Sequence, residues 1–351
     1  MSSPQDRRQQ LRSEIQSSIS SLSQIESQLN WLTSSIAYID SMSTSLPSRF
    51  EVLRKNGYAH KVSVEEQLKK LVENWNITRS SISFDIETLT SQLKSEISML
   101  KSEGQLILNR INQPFFAEFA IRGEIILYNA KVNTFTSKAY SQINQVKKGL
   151  VKVREDIEKI EKIINDAEHA VNAVSSASFI LQENEHPLLC VKAKKLEPGE
   201  KNEGRVIVTD QRLLYEVEKE VVLERKLFIA TKTKTERKLD LEVPLGIIKN
   251  VQKGRVGLIA WEGVYIDLHP GQKYSAVVFD TKGDDTEKLI ESVNYVLSGQ
   301  ADKDKVIVEA KIVEEVKAFF CIKCGAPLEV PTTRGIYEVS CKYCGTRNKI
   351  K

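Results

Sequence analysis

Four cysteines stand in two pairs near the C-terminus, Cys321-Ile322-Lys323-Cys324-Gly325 and Cys341-Lys342-Tyr343-Cys344-Gly345. Each CxxCG turn aims two sulfurs at one point, and its glycine permits the tight backbone that brings amide groups to the thiolates. Two such pairs at this separation suit a four-thiolate zinc ion, one per chain. The role would be structural, because four protein ligands leave no open position for water or substrate. Iron held by the same sulfurs and a redox dithiol pair are the competing chemistries. No recognisable redox partner domain accompanies the cysteines, which favours zinc. A module of about thirty residues has too small an apolar core to fold alone, so metal binding would supply its folding energy.

Between the pairs, residues 327–330 and 337–340 read as two arms of a hairpin that turns near residues 332–335. With that hairpin, residues 319–350 resemble a zinc ribbon. Outside the ligands the ribbon carries Lys323, Arg334, Lys342, Arg347, Lys349 and Lys351 against Glu329 and Glu338. Tyr343 and the Arg347-Asn348-Lys349 run could touch a backbone phosphate, or could simply form an exposed tail.

A second candidate site is basic. Arg225, Lys226, Lys232, Lys234, Arg237 and Lys238 lie close together, opposed within that stretch only by Glu236. Residues 230–235 alternate lysine with hydroxyls, which suits phosphate oxygens. At roughly 1 kcal/mol per basic residue near an anionic bilayer, Lys232, Lys234, Arg237 and Lys238 would give weak, avidity-dependent adhesion. The bland reading is a solvated edge strand whose lysines prevent sheet-to-sheet aggregation. Catalytic constellations are missing: there is no GxxxxGK[ST] loop, HExxH, GxSxG or GxGxxG, and His60, His169, His186 and His269 are scattered. Cys190 lies in an apolar run outside both knuckles and reads as a small buried hydrophobe.

Short Val/Ile/Leu/Tyr runs bounded by turn residues position this basic segment. Candidate strands cover residues 188–191, 204–210, 211–217, 221–230, 238–243, 247–251, 256–260, 264–268 and 275–279. A helix follows, with Asp284 or Asp285 as its cap and Leu289, Ile290, Val293 and Val296 on one face. The run Glu203-Gly204-Arg205-Val206-Ile207-Val208-Thr209-Asp210-Gln211-Arg212-Leu213-Leu214-Tyr215 is similar to the hairpin of the GRAM and bacterial pleckstrin-homology-like families. Residues 243–251 resemble a later strand of the same families. That resemblance implies a small barrel closed by a C-terminal helix, binding lipid head groups or protein peptides rather than performing catalysis.

The N-terminal half is long helix. Ile15, Leu22, Leu29 and Ile36 recur every seven residues, with Leu11, Ile25, Leu32, Ile39 and Leu46 as companion seam. Pro47 is expected to end that helix, and Pro114 the next, whose seam runs from Leu68 through Trp75 to Ile111. A third seam alternates threes and fours from Ile143 to Val174. Its narrow stripe suits either an antiparallel three-helix bundle or pairing with a second copy, and a homo-oligomer through this coiled coil is the expectation. Phe115, Phe116 and Phe119 follow the proline and would pack the corner between helices, or insert into a partner or membrane.

The fold class is therefore α+β, in four parts. They are a coiled-coil helical region (residues 1–185), a pleckstrin-homology-like barrel (186–299), a charged connector (300–317) and a four-cysteine zinc ribbon (318–351). The 351 residues carry 51 basic and 47 acidic side chains, and a net charge of +4 over the whole chain does not mark a nucleic-acid binder. No apolar stretch approaches the ~18–20 residues of a spanning helix, and the N-terminal run lacks the apolar core of a secretory signal. The expectation is a cytoplasmic, non-enzymatic scaffold that binds a protein partner or an anionic membrane surface, with no small-molecule substrate. A nucleic-acid- or polymerase-associated zinc-ribbon factor is the alternative.

Overall fold

The computed structural model describes residues 4–113, 118–197, 200–226, 229–256, 261–272, 274–306, 321–326, 328 and 338–349. Helices α1 (Pro4–Lys55), α2 (Val62–Ile111) and α3 (Glu118–Ser175) fill the N-terminal half. Two compact units divide the chain: residues 1–47 with 67–161, and residues 48–66 with 162–351. The boundary expected at residue 186 thus falls inside the second unit.

The first unit is a three-helix bundle. Leu11, Ile15, Leu22, Ile25, Leu29, Leu32, Ile39 and Leu46 of α1 are fully buried, as are Trp75 and Ile97 of α2 and Ile143, Leu150 and Ile157 of α3. Asp40 accepts from Trp75 Nε1 at 2.8 Å and from Arg79 at 2.6 Å, while Lys101 reaches Glu26 at 2.6 Å, so α1 and α2 run antiparallel. Ser18 donates to Asn129 at 2.7 Å and Tyr38 to Glu161 at 3.1 Å, which sets α3 parallel to α1. The Arg79 guanidinium, and Trp75 after it, hold the Asp40 carboxyl below its ordinary range. The a/d stripes are therefore covered by the chain's own helices, and the Ile143–Ile157 seam offers no free face to a second copy. The motive for a coiled-coil homo-oligomer along it falls away.

Pro47 does not end α1, which continues to Lys55. An interior proline costs about 3 kcal/mol, and packing beyond it offsets that. Phe50 and Leu53 are buried, and the Arg54 guanidinium lies 4.6 Å over the Phe50 ring while donating to the carbonyls of Tyr58 and His60 at 2.7 Å. Phe119 packs no corner: it stands 93% exposed in the first turn of α3. Pro114, Phe115 and Phe116 lie outside the described residues.

The second unit is built on a seven-stranded antiparallel sheet. Its strands are β1 (Pro187–Glu197), β2 (Glu200–Thr209), β3 (Arg212–Lys226), β4 (Ile229–Pro244), β5 (Ile248–Val256), β6 (Trp261–Leu268) and β7 (Ala276–Asp280). The order is β4-β3-β2-β1-β7-β6-β5, two meanders joined where Lys194 and Lys195 of β1 face Asp280 and Phe279 of β7. Residues 221–230 are not one strand. They straddle the end of β3 and the start of β4, whose long hairpin pairs Arg212 with Pro244 at one end and Lys226 with Ile229 at the other. Residues 245–247 form a 3-10 turn, so the strand expected from 247 starts at Ile248 and runs on to Val256. Residues 257–260 lie outside the described residues.

Helix α4 (Asp284–Leu297) lays Leu289, Val293 and Val296 on a core that includes Val206, Val208, Leu213, Tyr215, Val264 and Phe279. Its cap is Gly283 at φ +54°, so Asp284 and Asp285 sit in the first turn, where they favour the dipole without capping. Alternation along β2 and β3 turns Ile207 and Leu214 to the other face, onto Cys190 and Ala173 near the end of α3. Cys190 is buried, as its apolar setting requires, and burial pushes its thiol up to about 12.

Two buried ion pairs brace that face. Arg205 Nε and Nη2 reach Glu216 Oε2 at 2.9 and 2.7 Å, and Glu216 Oε1 accepts from the amide and hydroxyl of Ser178. Arg212 reaches Glu185 at 2.9 and 2.6 Å, and Thr209 Oγ1 accepts from the Arg212 amide at 2.8 Å while donating to Glu185 at 2.6 Å. Beside them, the turn at residues 57–61 meets the segment after α4. His60 Nδ1 lies 3.2 Å from the Ala301 carbonyl and Nε2 lies 3.4 Å from Asp210 Oδ2, to which Lys305 donates at 2.9 Å. Asp304, following the short α5 (Gln300–Lys303), accepts from the Ser63 amide at 3.0 Å in the first turn of α2.

Candidate metal centre and the basic hairpin

The two cysteine turns are copies of one geometry. The Cys321 amide donates to the Ala326 carbonyl at 2.8 Å and the Gly325 amide to the Cys321 carbonyl at 2.9 Å; Cys341–Thr346 and Gly345–Cys341 repeat both bonds at 2.9 Å. Gly325 and Gly345 share φ +70°, a left-handed conformation that admits glycine without strain. Flanking the second turn, β8 (Glu338–Ser340) pairs with β9 (Arg347–Lys349). Residues 338–340 of the hairpin expected across residues 327–340 form β8, which folds around the Cys341 knuckle onto β9. Residues 327 and 329–337 lie outside the described residues.

All four sulfurs lie within 4.8 Å of one another, with Cys321 Sγ 3.5 Å from Cys344 Sγ and Cys324 Sγ 3.6 Å from Cys341 Sγ. None is in a disulfide. A tetrahedron with metal–sulfur bonds of about 2.3 Å has edges of about 3.8 Å, so the donor set fits a zinc-sized ion. Backbone amides of Cys324 and Lys323 draw the Cys321 thiol down to about 6. Cys324 also receives an amide, from Ala326, yet the crowding sulfurs of Cys344, Cys341 and Cys321 push it up to about 12. Four sulfurs at this spacing are compatible with one cation between them.

Asn348 locks the two knuckles together, a role its sequence neighbourhood did not suggest. It is buried, accepts from the Ile322 amide at 2.8 Å and donates to the Thr346 carbonyl at 2.7 Å. The run 347–349 is therefore a strand with an inward asparagine, not an exposed tail. The legible signal was alternation, since Arg347 and Lys349 point outward on either side of it.

The basic segment spans both arms of the β3–β4 hairpin: Arg225 and Lys226 end β3, while Lys232, Lys234, Arg237 and Lys238 lie on β4. Arg237 Nε donates to Glu218 at 2.8 Å, and Lys238 is exposed opposite Val217. Lys232 and Lys234 stand opposite Glu224 and Val221, their side chains outside the described residues. The four residues share one strand, which is an edge of the sheet.

No protein-family model and no curated protein matches the sequence. Among solved structures, the chain is similar to the Vps36 N-terminal PH domain at 15% identity and a TM-score of 0.25, covering 36% of this chain and 90% of that one. It is similar to the linker and DH/PH domains of p115-RhoGEF at 11% identity and a TM-score of 0.24, covering 84% and 98%. The DH/PH domains of PDZ-RhoGEF, solved in complex with activated RhoA, give 8% identity, a TM-score of 0.28 and coverage of 83% and 95%. At TM-scores this low, none of these likenesses decides the fold or the function. No helix among the described residues is long and apolar enough to cross a membrane.

Proposed function

We propose that this chain is an intracellular, non-enzymatic adaptor whose sheet is a pleckstrin-homology-like binding module and whose C-terminal knuckles hold one structural zinc. The observation that carries the reading is the convergence of Cys321, Cys324, Cys341 and Cys344 on one point without a disulfide. Free thiols so placed suit a reducing compartment and a metal, and four protein donors fill a tetrahedral ion. The two-meander strand order with a single capping helix supports the module. Partner contact falls on the edge strand β4, through Lys232, Lys234, Arg237 and Lys238, toward an anionic surface.

Metal analysis of the purified chain tests the first part: one equivalent of zinc is expected, and iron or no metal would overturn it. Flotation with anionic vesicles tests the second. Binding that fades with salt and is lost when the four basic residues become serine is expected. Indifference to anionic vesicles at low salt, or binding that the four serines leave unchanged, would overturn that contact.

A further inference from the structure

In the first unit, α2 and α3 leave between them a groove of 920 Å³ that no residue of α1 lines. Leu100, Ile107 and Phe135 form its buried floor, while Leu106 and Leu127 stand over it at 65% and 66% exposure. Met99, two turns before Leu106, is equally exposed at 64%. Side chains this large and this uncovered on adjacent helices mark an interaction surface.

The rim is charged in a particular order. On α2 it reads Glu96, Glu103, Arg110, and on α3 it reads Lys138, Lys131, Glu124, each series in steps of seven. Lys131 bonds Glu103 at 2.7 Å and Arg110 bonds Glu124 at 2.6 Å, which fixes the level of each pair across the groove. One edge is thus acid, acid, base, and the other is base, base, acid. Both pairs are solvent-accessible, so their outer faces stay open to further ion pairs.

We infer that this groove is the dimer face of the chain and that its occupant is a second copy. A two-fold axis lying along the groove sets α2 of each copy over α3 of the other at the same level. Glu96 then meets Lys138 of the second copy, Glu103 meets Lys131, and Arg110 meets Glu124, while Leu106 meets Leu127. Every contact occurs twice, as an isologous interface requires. A foreign helix would have to supply its own matching series on both edges. The face differs from the Ile143–Val174 stripe, which the chain buries itself.

Sedimentation of the full-length chain tests this. A dimer is expected at micromolar concentration, and Leu106→Glu with Leu127→Glu, both exposed sites, is expected to weaken it at least tenfold with the helical signal unchanged. Glu103→Lys alone should weaken the dimer, and adding Lys131→Glu should restore it, because the swap preserves the pairs within and between copies. A monomer at high micromolar concentration overturns the inference. So does a dimer indifferent to the leucine substitutions. A monomer that captures an amphipathic peptide helix, and loses it on the same substitutions, overturns the second copy as occupant.

Discussion

Gly104 of α2 gives Tyr128 of α3 its place: a Cβ on Gly104 would sit 2.4 Å from the Tyr128 hydroxyl and 3.2 Å from Ile19 of α1. Three helices meet there, and the hydroxyl is buried without a hydrogen-bond partner among the described residues. Burial raises it to about 12. In an open helix Gly→Ala would stabilise by about 1 kcal/mol. Here Gly104→Ala is expected to cost about 1–3 kcal/mol from overpacking. Tyr128→Phe should be neutral or stabilising and should rescue Gly104→Ala in part, because it removes the nearest atom. Urea unfolding of the four proteins reads this coupling. Additive effects would deny the contact.

Pro47 offers the opposite experiment. Pro47→Ala restores a donor toward the Ser43 carbonyl and removes a ring from an interior turn of α1. A gain of about 1–3 kcal/mol is expected, seen as a higher melting temperature. A loss would mean that the proline ring is itself part of the packing.

Asp210 makes acid stability local. Burial would raise its carboxyl, but the His60 ring, the His186 amide and the Lys305 ammonium outweigh burial and lower it to about 2. A depressed carboxylate contributes stability that is full above its unfolded value of about 3.9 and fades as pH falls toward 2. That contribution is about 2–3 kcal/mol. Asp210→Asn should lose this at pH 7, and the difference from the parent should shrink between pH 4 and pH 2. Paired melting curves across that range decide it. A gap that stays constant refutes it.

The Arg205–Glu216 pair calls for chemistry-specific substitution. Arg205→Leu leaves Glu216 charged, buried and short of partners, at an expected cost of about 3–5 kcal/mol. Arg205→Lys should recover little of it, since an ammonium cannot supply the fork that Nε and Nη2 present at 2.9 and 2.7 Å. Chemical denaturation with the second unit as reporter gives the comparison. Equal stability of the lysine variant and the parent would refute it.

Cys341→Ser is expected to abolish stoichiometric metal, whereas Cys190→Ser should leave it intact, because Cys190 packs with Ala173, Ile207 and Leu214. Metal analysis of both variants reads the difference. Retention is expected to weaken as pH falls, because protons compete for the thiolates.

Long periodic features were legible in the sequence because one physical cause dominates them. The heptads of α1 and α3 declare helix, and Leu289, Val293 and Val296 declare the face of α4. The cysteine pairs likewise declare their convergence, which needs only local turns. What escaped was decided at a distance. Pro47 continues a helix because Phe50 and Leu53 are buried beyond it. Residues 221–230 looked like one strand because the run holds no Gly, Asn, Asp or Pro to mark a break. Arg205 and Arg212 sat inside the recognised hairpin motif, but their partners Glu216 and Glu185 could not be paired without the register. Asn348 was hidden by the charges on both sides of it.

The Ser63–Asp304 bond joins the start of α2 to a residue 241 positions later. The Ala59 carbonyl likewise accepts from the Val306 amide at 2.8 Å. During synthesis the chain therefore makes the residues 48–66 early and must hold them unfinished until the segment after α4 emerges. The bundle can close on its own local contacts well before that, whereas the sheet unit carries its loop-closure entropy to the end. Truncation anywhere before residue 306 should leave the early segment's polar groups open, so ribosome-stalled fragments of this length would expose the turn at 57–61 to proteases and chaperones.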